Sequence, residues 1–179
     1  METVESFSDG FGLGEERNGF LGPFKTGAKC NVHYLHGGLH LFINDEGEIE
    51  KRLKGPEGLI NAVASTIARE KRLPIYVAEG RSIAKLRKIN SNKYLAYCLD
   101  KLRSISGNLF VYGHSADPND AHIYNAIFKS RIKHLYFCVH KPTADIARTA
   151  GELSRYQKLF SSEIKYTLVD AESVSIWNK

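Results

Sequence analysis

The sequence predicts an α/β fold of Rossmann-like type: a mainly parallel sheet with helices on both faces. Three observations carry this. Residues 108–113 (NLFVYG) and 134–140 (HLYFCVH) are short, nearly continuous apolar runs, the pattern of strands buried on both sides, and 164–169 reads as a further strand. Helical periodicity over 121–129 and 143–160 separates them. Strands alternating with helices at this spacing build parallel sheets through crossover connections.

The elements follow in order. Residues 1–29 are glycine-rich with scattered aromatics and no sustained period, so they form an irregular N-terminal segment ahead of an α/β domain over 30–179. Residues 30–35 (CNVHYL) resemble a strand, interrupted by Gly37 and Gly38. Residues 39–43 and 48–54 form a hairpin around the turn Asn44-Asp45-Glu46-Gly47. A helix opens at Gly55-Pro56-Glu57-Gly58, in which Leu59, Ile60, Val63, Ile67 and Ala68 recur mostly at three- and four-residue intervals, and ends near Lys71. Residues 73–78 (LPIYVA) fit a buried strand. Helices over 82–89 and 93–105 follow, the second lined by Leu95, Cys98, Leu99 and Leu102.

Composition narrows the function classes. A chain of 179 residues, 42% hydrophobic and 25% charged, supports one sizeable core. No apolar run approaches the ~20 residues that cross a bilayer, and the acidic, polar start METVESFSDG is unlike a signal peptide, so a cytoplasmic protein without membrane association is expected. Cys30, Cys98 and Cys138 are odd in number and widely spaced, which suits reduced thiols. The net charge of +5 and pI near 9.0 permit an anionic partner. The charges do not concentrate, however. Arg81, Lys85, Arg87 and Lys88 read as the solvated face of a helix, so nucleic acid is the weaker reading.

In open parallel sheets ligands bind beyond the C-terminal ends of strands. Two segments place glycine and polar residues there: Leu35-His36-Gly37-Gly38 and Gly113-His114-Ser115-Ala116-Asp117. Glycine admits close backbone approach, and exposed N–H groups favour phosphate oxygens. Gly113 is expected to admit no side chain. His36 could accept a proton from a sugar hydroxyl, or could simply bond a loop carbonyl. Asp117 and Asp120 flank a proline before a helix, so they suit a turn and an N-cap, and Asp117 equally a ribose contact. No metal is expected, because His33 and His36 on a strand would point to opposite faces and no ligand motif accompanies them.

The order Leu-His-Gly, then far downstream Gly-His-Ser-x-Asp-x-x-Asp, resembles the sirtuin-like superfamily, especially bacterial sirtuin-like proteins of largely unassigned function. Asp9-Gly10-Phe11, Val77-Ala78-Glu79-Gly80 and the closing Val169-Asp170-Ala171-Glu172-Ser173 with Trp177 look like that group, and the resemblance covers most of 7–177. It implies NAD as substrate or ligand, His36 as the general base, and Gly37, Gly113, His114, Ser115, Asp117 and Asp120 on the nucleotide. NAD hydrolysis, as in bacterial antiphage defence, is the leading expectation; an inactive accessory or protein-interaction domain is the alternative. Lysine deacylation is disfavoured, since no cysteine pair follows the His-Gly segment. The Gly-Ala-Gly-type loop that opens such folds has no equivalent in 1–29, where Gly10-Phe11-Gly12-Leu13-Gly14 follows no predicted strand. The fold therefore resembles the C-terminal half of a sirtuin-like domain. Weak NAD binding by the chain alone is expected, with a partner chain or a homo-oligomer completing the site.

Overall fold

The computed structural model describes residues 9–11, 19–20, 31–140 and 143–174, without the side chains at 143 and 144. Most of the N-terminal segment, with Gly12-Leu13-Gly14, Cys30 and Trp177, lies outside the described residues. The chain divides into two compact units, Met1–Ala78 with Lys88–Cys98, and Glu79–Arg87 with Leu99–Lys179.

The first unit is built around an antiparallel hairpin of β1 (Leu41–Ile43) and β2 (Ile49–Lys51), with Leu41 and Phe42 fully buried. The turn forms as the sequence requires, with Gly47 at φ +79 and the Asn44 side chain accepting from the Glu48 N–H. The predicted strand over 30–35 does not form across the described residues 31–35. The Tyr34 N–H donates to the Tyr94 hydroxyl instead of to a neighbouring strand, and 35–36 turn. Nor is 73–78 a buried strand. Pro74 has no N–H to give, Leu73 stands 78% exposed, and only Ile75–Val77 run beside the 36–41 segment.

Helix α1 (Leu59–Glu70) begins and ends where the pattern places it, closing on Lys71 in the left-handed conformation. Its apolar spacing does not mark the buried side. The buried residue is Thr66, while Ile60 is 84% exposed and Leu59 and Ile67 also face solvent. At the end of the helix Glu70 pairs with Arg52 and Arg72, and Arg72 also reaches Glu50 on the hairpin at 2.8 Å. Helix α2 (Ser82–Asn90) and helix α3 (Lys93–Ser104) contribute residues to both units, and Leu95, Cys98 and Leu99 are buried as their spacing predicts.

The second unit holds a three-stranded parallel sheet in the order β3 (Ser106–Val111), β4 (Arg131–Val139), β5 (Lys165–Asp170). Helix α4 (Ala121–Phe128) connects β3 to β4 and helix α5 (Thr143–Leu159) connects β4 to β5. Both cover the face that carries Leu135, Phe137 and Tyr166. Tyr124 of α4 packs near Phe137, and Tyr166 bonds Ser154 and the Ala150 carbonyl of α5. The Tyr124 and Tyr156 rings stack at 4.6 Å between the helices. The opposite face was expected to be covered too. Instead Asn108, Phe110, Lys165 and Thr167 are exposed there, with Phe110 stacked on Tyr136 of the neighbouring strand. Among the described residues no helix is long and apolar enough to cross a membrane.

Candidate functional site

The polypeptide leaves β3 at Val111, and the seven residues that follow are held from three directions. Ala116 is fully buried with φ +55, a conformation that costs a non-glycine residue of order 1 kcal/mol and survives only when its surroundings enforce it. Tyr156 enforces it: its hydroxyl donates to the Ala116 and Asp117 carbonyls at 3.4 and 3.1 Å. Burial pushes the Tyr156 phenol up to about 12, so it remains a donor. Arg148 of α5 donates to the Ser115 carbonyl at 2.9 Å. Asp117 accepts from the Asn119 N–H at 2.7 Å, the turn role its place before Pro118 suggests.

His114 sits inside this framework. Its Nδ1 lies 2.7 Å from the Tyr124 hydroxyl and 3.2 Å from the Ala116 N–H, so Nδ1 accepts and the proton of the neutral ring is on Nε2. Burial lowers the His114 pKa below the ordinary histidine value; Asp120 opposes this, Lys85 adds to it, and Asp117 opposes it. Neutral near pH 7 with Nδ1 engaged, His114 orders the loop and is poorly placed to serve as a base.

Asp120 does not cap α4 with its side chain. Ser82 of α2 does that work, its Oγ accepting from the His122 N–H at 2.8 Å. The Asp120 carboxylate therefore turns to Lys85, whose Nζ donates at 2.8 Å, and approaches His114 Nε2 at 3.6 Å. Lys85 is 6% exposed, so it is no part of a solvated stripe. Ser82 and Lys85 are one turn apart on α2, and both act across 35–40 residues of sequence.

A cavity of about 250 Å³ opens beyond the ends of β3 and β4, lined chiefly by Gly113, His114, Ser115, His140, Asp145 and Arg148. Gly113 has φ +71, and a Cβ there would meet nothing within 4 Å. Cys138 also reaches this cavity; burial raises its thiol pKa, which suits a structural rather than a nucleophilic sulfur. Larger hollows of about 410 and 350 Å³ lie along the hairpin turn and beside α1, and one of about 370 Å³ lies at the opposite, N-terminal ends of β4 and β5.

The predicted residues thus fall into two groups. Gly113, His114, Ser115, Asp117 and Asp120 are brought together in the second unit. His36 and Gly37 belong to the first unit, where the His36 carbonyl accepts from the Val77 N–H at 2.9 Å. Gly37 has φ +78, and a Cβ on it would lie 2.0 Å from the Ile75 carbonyl oxygen. Sequence reading missed Lys85, Ser82, Tyr124, Tyr156 and Arg148. Of these Lys85 reads in the sequence only as a surface charge, and no local signal distinguishes it.

Residues 1–177 match the family described as Domain of unknown function (DUF4917). The chain belongs to that family. No curated protein and no solved structure matches this DUF4917 chain.

Proposed function

We propose that this DUF4917 protein binds NAD at the end of its parallel sheet, as a sirtuin-like nucleotide-binding domain of the NAD-hydrolysing kind. The observation that carries the reading is the cavity beyond β3 and β4, where a glycine strand end and a cationic side chain converge. At about 250 Å³ it is smaller than the ~300–1,000 Å³ typical of whole small-molecule sites, so it suits a ribose-phosphate portion of the dinucleotide. Lys and Arg balance Asp and Glu in the first unit, so the net charge of +5 falls to the second, which favours an anion there. Arg148 bonds the Ser115 carbonyl and pairs with Asp145 at 3.7 Å, and its remaining N–H donors are those offered to a phosphate, while the clamped loop 113–117 presents backbone that needs no reordering on binding. The sirtuin-like resemblance assigns the base of turnover to His36, a residue of the first unit.

Amide NMR spectra recorded with millimolar NAD test the binding step, because they detect even weak association. Shifts centred on Gly113, Ser115, His140 and Thr149 are expected, and Arg148→Glu should weaken them about tenfold or more. Shifts confined to other regions, or none at all, would overturn the reading. Release of free nicotinamide tests turnover, and His36→Ala should slow it about a hundredfold.

A further inference from the structure

We propose that His114 is an acid-sensitive latch on the loop 113–117: a proton on its Nδ1 releases the loop and with it the nucleotide site at the end of β3. The second half of this rests on the NAD reading above; the first does not. Tyr156 and Arg148 hold the loop by its carbonyls, at Ser115, Ala116 and Asp117. His114 holds the opposite polarity, for its Nδ1 accepts from the Ala116 N–H at 3.2 Å and from the Tyr124 hydroxyl of α4 at 2.7 Å. A proton on Nδ1 turns that acceptor into a donor. The Nδ1–H, the Ala116 N–H and the Tyr124 O–H then meet around a single acceptor, the Tyr124 oxygen. Tyr124 and Ala116 are both buried, so this conflict falls where an unpaired donor is costly. Ala116, held at φ +55, is the residue that gives way.

The groups around the ring decide which way the latch moves. Asp120, just ahead of α4, lies 3.6 Å from Nε2, and Lys85 of α2 holds the same carboxylate at 2.8 Å. Asp117 lies further along the loop, whose carbonyls Tyr156 and Arg148 of α5 reach. His122 on α4 keeps its Nδ1 on Ser82 at 3.1 Å, and His140 and Asp145 share the cavity. Burial is the largest influence and lowers the His114 pKa; Asp120 opposes it, Lys85 adds to it, Asp117 opposes it, and the balance stays below the ordinary value of about 6.5. The closed loop therefore takes a proton less readily than the open one. The neutral ring stabilises the closed loop fully above about pH 6.5, and this is lost as pH falls from there toward the lower value of the closed state. Linkage makes the effect reciprocal: a nucleotide that favours the closed loop lowers the His114 pKa further.

Histidine-ring and amide NMR of the full chain between about pH 8 and about pH 5 tests the latch without any variant. The Ser115, Ala116 and Asp117 amides should shift with the midpoint of the His114 ring, distinct from those of His122 and His140. His114→Asn keeps an acceptor near the place of Nδ1 and does not titrate, so in that variant these amides should stay flat across the range. Loop amides that are flat in the parent, that follow His122 or His140 instead, or that still respond in His114→Asn would each overturn the latch. The link to the nucleotide is read by NAD titration at about pH 7.5 and about pH 5.5. The parent should bind about fivefold or more weakly at the lower pH and His114→Asn equally at both, while saturating NAD should move the His114 midpoint down. Should NAD leave the cavity residues unshifted at the higher pH while the loop still follows His114, the latch stands and the NAD reading falls. Should NAD bind the cavity equally well at both pH values although the loop is released, the coupling of latch to site is overturned and the NAD reading stands.

Discussion

Gly37 and Gly113 both follow a predicted strand and sit beside a histidine, and both take a left-handed backbone, with φ +78 and +71. Their surroundings differ completely. A side chain on Gly37 would strike the Ile75 carbonyl, whereas one on Gly113 would enter open space at the mouth of a cavity. Gly37 is therefore glycine because the fold leaves it no volume: Gly37–Gly38 lies against Ile75–Val77, with the Gly38 N–H donating to Ile75. At Gly113 the fold demands only a dihedral. Similar residues in a sequence thus mark a packed junction in one case and a vacant surface in the other, and substitutions separate the two.

The largest effect is expected at Gly37. Gly37→Ala incurs about 1 kcal/mol for the positive φ and a further ~1–3 kcal/mol for displacing backbone, since a carbonyl cannot swing aside as a side chain can. In a chain of this size that lowers the melting temperature by roughly 5–12 °C. Melting within about 2 °C of the parent would show that 36–38 and 75–77 separate easily, and the contrast with Gly113 would collapse.

Next is the ion pair beneath the Gly113 loop. Asp120→Ala leaves the Lys85 ammonium, 8% exposed, without its carboxylate, and removing one partner of a buried pair costs about 3 kcal/mol. The double variant with Lys85→Met should recover most of this, because an apolar side chain tolerates the site that a lone charge does not. If Asp120→Ala melts like the parent, Lys85 reaches water readily and the loop is less firmly supported than Tyr156 and Arg148 suggest.

How much of this was legible follows from the range of the interactions. Strands β3 and β4 announce themselves by long apolar runs, although one face of the sheet stays exposed at Phe110, and the helices because their period is local. The 73–78 segment misleads for the same reason: Leu73, Ile75, Tyr76 and Val77 are apolar, but Pro74 forfeits a donor and Leu73 and Tyr76 remain exposed. Helix α1 shows what periodicity leaves open, for it reveals an apolar face and not the direction that face takes: Thr66 is buried while Ile60 is 84% exposed. Asp120 reads as a cap from its neighbours, yet Ser82, 40 residues before His122, satisfies the helix start and frees the carboxylate for Lys85. Such assignments exchange partners over distances that no local window spans.

The smallest effect is expected at Gly113, and it bears most directly on function. The sequence suggested that this position admits no side chain; the open space around it corrects that, leaving only the dihedral as a constraint. Gly113→Ala should therefore cost about 1 kcal/mol, a shift of roughly 2–4 °C in melting temperature, and leave the Tyr156 and Arg148 bonds to the following carbonyls in place. Its methyl group would project into the volume assigned to the nucleotide, so the NAD-induced shifts at Ser115 and His140 should weaken far more than stability does. That disproportion is what separates a glycine retained for a ligand from one retained for packing, and at Gly37 the opposite ratio is expected. Should Gly113→Ala keep both its melting temperature and its NAD shifts, the cavity end of β3 is not where the nucleotide lies, and the two glycines differ in packing alone.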